Sequence, residues 1–182
     1  TAGACRHRSR ISGIMNKTSM EIKKFMTMMV AVLAIGLGVC SCGSDDDEPE
    51  VAVAAQVAGL YEGNEIVMVD NEESSNDTKT YELIKASDTS IDMAIPEIGM
   101  GGMMTIPALT VKNIVLTKNG NTITGRQASY NGIVTNAKGE EKAYTVSDVT
   151  VIFSDKHVVA TFSLKYGSMP FIMMTTFTGT FK

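Results

Sequence analysis

Tryptophan is absent from this chain, and histidine occurs only at His7 and His157. A glycosidase needs two carboxyl groups beside a sugar cleft, usually walled by aromatic platforms, and a chain without Trp is poorly equipped for one. The cysteines are Cys5, Cys40 and Cys42, so beyond residue 42 there can be no disulfide, zinc–thiolate site or cysteine nucleophile. A Ser-His-Asp site in the rest of the chain would have to rest on His157. Basic excess is also missing: 16 Lys+Arg stand against 20 Asp+Glu, a net charge of −4, which argues against nucleic acid as a partner. No Walker loop or Gly-x-Gly-x-x-Gly is found, and Gly99-Met100-Gly101-Gly102 is flanked by no helical pattern that could make it a phosphate cradle.

What is present divides the chain sharply. Over 182 residues, 44% are hydrophobic and 20% charged, which suits one globular domain with appendages. Residues 1–19 show no periodicity and read as an upstream segment, with Met15 or Met20 as initiator. Lys23 and Lys24 then precede an uncharged, mostly apolar run of 15 residues, Phe25–Val39. That run is shorter than the roughly 20 residues of a membrane span and fits the apolar region of a signal peptide. The sequence Val39-Cys40-Ser41-Cys42 resembles a bacterial lipobox. A small residue must precede the acylated thiol, so Ser41 selects Cys42 over Cys40. Residues 20–41 are thus expected to be a lipoprotein signal peptide, and several acyl chains at about 0.8 kcal/mol per buried CH₂ would hold the protein to a membrane. Residues 42–56 form an acidic, self-repelling linker. Within it Ser44, Asp45, Asp46, Asp47 and Glu48 resemble the acidic surface-export signal of Bacteroidetes lipoproteins.

From residue 57 the pattern changes to period-two alternation broken by turn residues. Strands are expected at 57–69, 79–86, 90–95, 108–117, 121–135, 141–153, 157–166 and 171–181, with a bulge at Asn131-Gly132. In the seventh, Val158, Ala160, Phe162, Leu164 and Tyr166 share one face, while His157, Thr161, Ser163 and Lys165 share the other. In the eighth, Phe171, Met173, Phe177 and Phe181 fall together. Eight short antiparallel strands with one apolar face each are best closed, since closure removes unpaired edges. The expected fold is all-β, an eight-stranded up-and-down barrel, with a two-sheet sandwich as the alternative. Three connections read as tight turns, near residues 87–89, 118–120 and 154–156. Those at 70–78, 96–107, 136–140 and 167–170 read as longer loops. Alternate connections lie at opposite ends of such a barrel, so the long loops should frame the end away from the N-terminal tether.

Three segments carry a family resemblance: Gly59-Leu60-Tyr61-Glu62-Gly63, the stretch from Ile106 through Pro107 to Ile114, and Phe177-Thr178-Gly179-Thr180-Phe181. On these the region 57–182 resembles the calycin-like β-barrel domain of Bacteroidetes lipoproteins. The resemblance implies a lipocalin-like barrel and carries no defined biochemical role.

The candidate residues are few. His157 falls with the polar face of its strand and reads as exposed. Asp70, Glu72, Glu73 and Asp77 could offer oxygen to a hard cation, but without the regular spacing of a calcium loop they read as a solvated acidic rim. Met100, Met103 and Met104 lie in the 96–107 loop and Met169 in the 167–170 loop, at the same end. They could plug the barrel, form an adaptable apolar contact surface, or bind a soft metal. The expectation is an outer-membrane, surface-exposed lipoprotein with no enzymatic activity and no cofactor. A small apolar ligand or a protein partner would touch Met100, Met103, Met104 and Met169. The alternative is an accessory lipoprotein whose barrel is fully packed.

Overall fold

The computed structural model of the chain describes residues 51–100 and 104–182. The expected signal peptide at 20–41, Cys42, the acidic run from Ser44 to Glu48, and Met103 lie outside those residues.

A short helix, α1 (Val53–Val57), leads into ten strands: β1 (Gly59–Val69), β2 (Glu72–Lys85), β3 (Ser90–Ile95), β4 (Ile98–Met100), β5 (Met104–Ile106), β6 (Leu109–Asn119), β7 (Thr122–Thr135), β8 (Glu141–Ser154), β9 (His157–Tyr166) and β10 (Met173–Phe181). Eight of them close into an antiparallel barrel in the order β1-β10-β9-β8-β7-β6-β3-β2, while β4 and β5 pair with each other as a separate hairpin. The closing seam is the β1–β10 ladder, from Tyr61 opposite Phe181 to Val69 opposite Met173. Alternation does its work most cleanly in β9, where Val158, Ala160, Phe162, Leu164 and Tyr166 are all buried. Fully burying side chains of this size contributes about 1.5–3 kcal/mol each.

Three features differ from the sequence expectation. The stretch 70–78 is not a loop: β1 and β2 are joined by Asp70 and Asn71 alone, at φ 49° and 66°. Both residue types tolerate the left-handed region that a two-residue hairpin turn requires. The arm they close, through Val69 opposite Glu72, is mostly exposed along 72–80, so its strand character leaves no apolar alternation to read. The stretch 96–107 likewise contains the β4–β5 hairpin, which the sequence reading took as loop. Finally, Asn131 and Gly132 pair regularly with Thr145 and Tyr144, and the register shifts lie elsewhere, at Val67–Met68 between β1 and β2, at Ile91–Met93 between β3 and β6, and at Ser147–Thr150 between β8 and β9. Gly132 serves another need: a Cβ there would stand 2.3 Å from the Tyr144 ring. That ring reaches past β7 so that its hydroxyl donates to the Thr110 carbonyl at 2.7 Å, at a level where β6 and β7 share no ladder.

The end where β1 begins, here the near end, is closed by α1. Ala54 and Val57 are buried, the Ala54 N–H donates to the Asp88 carbonyl at 3.1 Å, and the Tyr61 hydroxyl donates to the Val57 carbonyl at 3.1 Å. Above this closure Tyr61, Tyr81, Leu83, Met93, Val151 and Phe177 help to line a space too small to admit a water molecule. The near half of the barrel is solid core.

Candidate functional site at the far end of the barrel

Four connections meet at the opposite, far end: the Asp70-Asn71 turn, the segment 96–108 with its hairpin, and the turns at 136–140 and 167–172. The hairpin strands β4 and β5 pair from Ile98 opposite Ile106 to Met100 opposite Met104. Ile98 and Ile106 are completely buried and Met100 is 5% exposed, so the hairpin turns its apolar side chains into the core. Met100 is therefore core and not an exposed contact residue, which corrects the expectation for it. Its alternation with Gly99 across a strand hides it, whereas a loop would have left it outside. Met104 is 38% exposed, and Met169 is partly buried against the core. Of the three methionines that are described, Met100 is buried, Met169 partly so and Met104 exposed, so they do not share one exposed surface. The acidic residues Asp70, Glu72, Glu73 and Asp77 are exposed or nearly so on the β1–β2 arm. His157 is exposed, its Nδ1 3.3 Å from the Thr180 hydroxyl.

The structure also brings together polar groups that were not singled out. On β1 the inward positions run Tyr61, Gly63, Glu65, Val67 and Val69. Glu65 is therefore a carboxyl in an apolar row, and it is fully buried. It stands opposite Phe177 on one side and Asp77 on the other. Tyr81 donates its hydroxyl to Glu65 Oε2 at 2.5 Å, while Oε1 has no hydrogen-bond partner among the described residues. Thr175 and Ser75 stand opposite Val67 from the two flanking strands, and their hydroxyls are likewise buried without a partner. The Tyr81 ring stacks on Phe177, with centroids 4.0 Å apart and planes 18° from parallel. Lys79 extends to the hairpin and donates to the Glu97 carbonyl at 2.7 Å.

Burial disfavours the charged form of Glu65 and raises its carboxyl above the ordinary range. The Tyr81 bond and Lys79 offset part of this, and Asp77 adds to it. The Tyr81 phenol is pushed well up, first by burial and then by the neighbouring Glu65 charge. Unpartnered buried polar atoms are uncommon in folded proteins because each costs about 1–3 kcal/mol. Three of them on neighbouring inward positions form the most unusual chemistry among the described residues. The parity of β1 could have revealed Glu65, since Tyr61, Val67 and Val69 share its face. Thr175 could not be found that way, because only barrel closure brings β10 beside β1, and Ser75 was missed because 70–78 read as a loop.

With this geometry in place, comparison with known proteins gives two findings. The model of the calycin-like β-barrel domain family matches residues 57–180. Among solved structures, a crystal structure of a Bacteroides fragilis protein, provisionally named an outer membrane protein, has a similar fold with a TM-score of 0.56 at 18% identity. The likeness covers 71% of this chain and 53% of that one, so this chain corresponds to about half of that protein's length. No curated protein matches at a significant level.

Proposed function

This chain belongs to the calycin-like β-barrel domain family, and from that premise we propose that it is an outer-membrane lipoprotein whose barrel is a non-enzymatic binding or interaction module. The observation carrying the reading is the contrast within the barrel: a solid near half, and a far end that gathers the connections and a buried polar cluster without hydrogen-bond partners. The Cys42 lipobox supplies the anchor, with the acidic run after it as the export signal for surface display. The Bacteroides fragilis structure supports an outer-membrane location by its provisional name. Entering the chain at the near end, the tether would leave the far end pointing away from the membrane. Contacts with a partner would fall on Met104 and Met169, beside the acidic β1–β2 arm.

A second reading is favoured by the packing: an accessory lipoprotein that holds no small molecule, because its near half has no room for one. Labelling with a clickable fatty acid tests the anchor, which should be lost in Cys42→Ala and kept in Cys40→Ala. The reverse pattern would refute the assignment. Replacing Asp45, Asp46 and Asp47 with Ala should turn the protein from protease-accessible to protected in intact cells. A pull-down from native membranes, compared between the natural chain and Met104→Asp, separates a binding module from an accessory one.

A further inference from the structure

We infer that the outer wall of the β1–β10 seam, at the far end, docks a cationic segment of a partner protein through apolar anchors. The inference rests on the binding reading above and names its partner chemistry, but it moves the contact from the loops to a strand face. Met68 and Met174 stand directly opposite each other across the seam. Their neighbours fix which way they point: Val67 and Met173 are buried, so Met68 and Met174 share the outer face. Met174 is 57% exposed, and Ile172, two residues before it, is 56% exposed. Ile66 and Met68 are half-buried. Directly opposed residues on neighbouring strands hold their Cβ atoms about 4.5–5.5 Å apart, so the two methionines form one surface. Ile66 extends it toward the near end and Ile172 toward the far end.

The rim decides the partner. Beyond the register shift in the β1–β2 ladder, Glu73 stands opposite Met68 and Glu72 opposite Val69, and Asp70 lies in the turn that joins the strands. All three carboxylates are exposed, and none forms an ion pair among the described residues. On the other flank β9 places Ser163 opposite Met174, with exposed Lys165 two residues further along. The acidic flank attracts Lys or Arg, while unbranched, polarisable methionines adapt to varied apolar side chains. A second copy is a poor occupant, because a two-fold contact sets the same patch against itself and its carboxylates would meet their own copies. An anionic lipid surface is repelled by the same carboxylates, and the described chain enters the barrel at the opposite end.

The test uses the full lipoprotein in phosphatidylcholine nanodiscs, which keep detergent off the patch. The probe is a fluorescent amphipathic peptide of Leu and Lys, with a Leu–Glu peptide of the same length as control. Saturable binding of the Leu–Lys peptide is expected, weakened by added salt, with the control inert. The double variant Met68→Thr/Met174→Thr should weaken it by at least about tenfold, as for loss of central apolar contacts. Threonine suits an outward strand position, so the fold is retained, and thermal unfolding checks this. Glu73→Gln should weaken binding several-fold by removing charge alone. Leu60→Thr, at an exposed position where β1 begins, should bind as the natural chain does. Equal binding in the double variant, or no binding by the natural chain, overturns the proposal. Capture of phosphatidylglycerol vesicles that is lost in the double variant overturns it in favour of a lipid. Self-association lost in that variant overturns it in favour of a second copy. If the native-membrane pull-down loses its partner in Met104→Asp and keeps it in the double variant, this patch is excluded and the far-end binding reading stands.

Discussion

The two ends of this barrel are both closed, but by different means. At the near end a five-residue helix packs Ala54 and Val57 onto the core and is fixed by one backbone bond to Asp88 and by the Tyr61 hydroxyl. Every buried polar atom named there has a partner. At the far end the closure is a hairpin held by apolar side chains and by one lysine contact, above a carboxyl and two hydroxyls that lack partners. The two ends thus differ in polar satisfaction: the Ile98, Met100 and Ile106 side chains close the far end, and the oxygens beneath them have no hydrogen-bond partner among the described residues.

The sharpest way to break this comparison is to weaken the far closure. Met100→Ala should cost about 2–5 kcal/mol in urea or thermal unfolding, as expected for truncation of a buried methionine. A negligible loss would mean that the hairpin is docked loosely and that the two ends differ more than the static packing implies.

A second probe addresses the buried carboxyl. Folding raises the Glu65 pKa above its unfolded value, mainly by burial, so the folded chain holds that proton more tightly. The stability associated with the proton is fully present below the ordinary carboxylate range and is lost as pH rises through the raised value. Glu65→Gln should flatten this fall and leave the protein more stable at neutral pH, by on the order of 1 kcal/mol. Denaturant midpoints across acidic to neutral pH measure it. A variant as pH-dependent as the natural chain would show that another group controls the titration.

At the near end, Tyr61→Phe removes one hydrogen bond, that to the Val57 carbonyl, and keeps the ring against Phe181 at 5.3 Å. The expected loss is about 1 kcal/mol, with faster amide exchange in α1 as its local signature. Smallest of all, Met104→Ser should change stability by no more than about 0.5 kcal/mol, because Met104 is the exposed partner of buried Met100 across the hairpin. A large loss there would make Met104 part of the plug.

Much of the barrel could be read from local pattern. Strand β3 falls where the alternation of Ile91, Met93 and Ile95 put it, and β9 spans the same residues as expected. Where one strand face meets core and the other meets solvent, period two writes the structure into the sequence. The reading failed where that contrast fades. Residues 72–80 form nine of the fourteen residues of β2 although most of them are exposed, and their pairing rests on the backbone ladder with β1 and the Asp70-Asn71 turn. The hairpin strands span three residues each, too short for any periodicity to rise above a Gly- and Met-rich loop. Met100, expected to be exposed, is buried, and Glu65 interrupts the otherwise apolar inward row of β1.

The sequence by itself determined the strand count of the closed sheet, the direction of its long connections and the family to which the chain belongs. The strand count and the direction of the connections follow from side-chain alternation and turn chemistry, which act between residues close in the chain, and the family follows from the likeness of three motif segments. Tertiary structure alone decided that α1 seals one end, that Ile98, Met100 and Ile106 fill the other, and that Glu65 meets Tyr81 near Thr175 and Ser75. Thr175 joins them from β10, roughly a hundred residues of chain away from β1, and only ring closure of the sheet brings those two inward faces together.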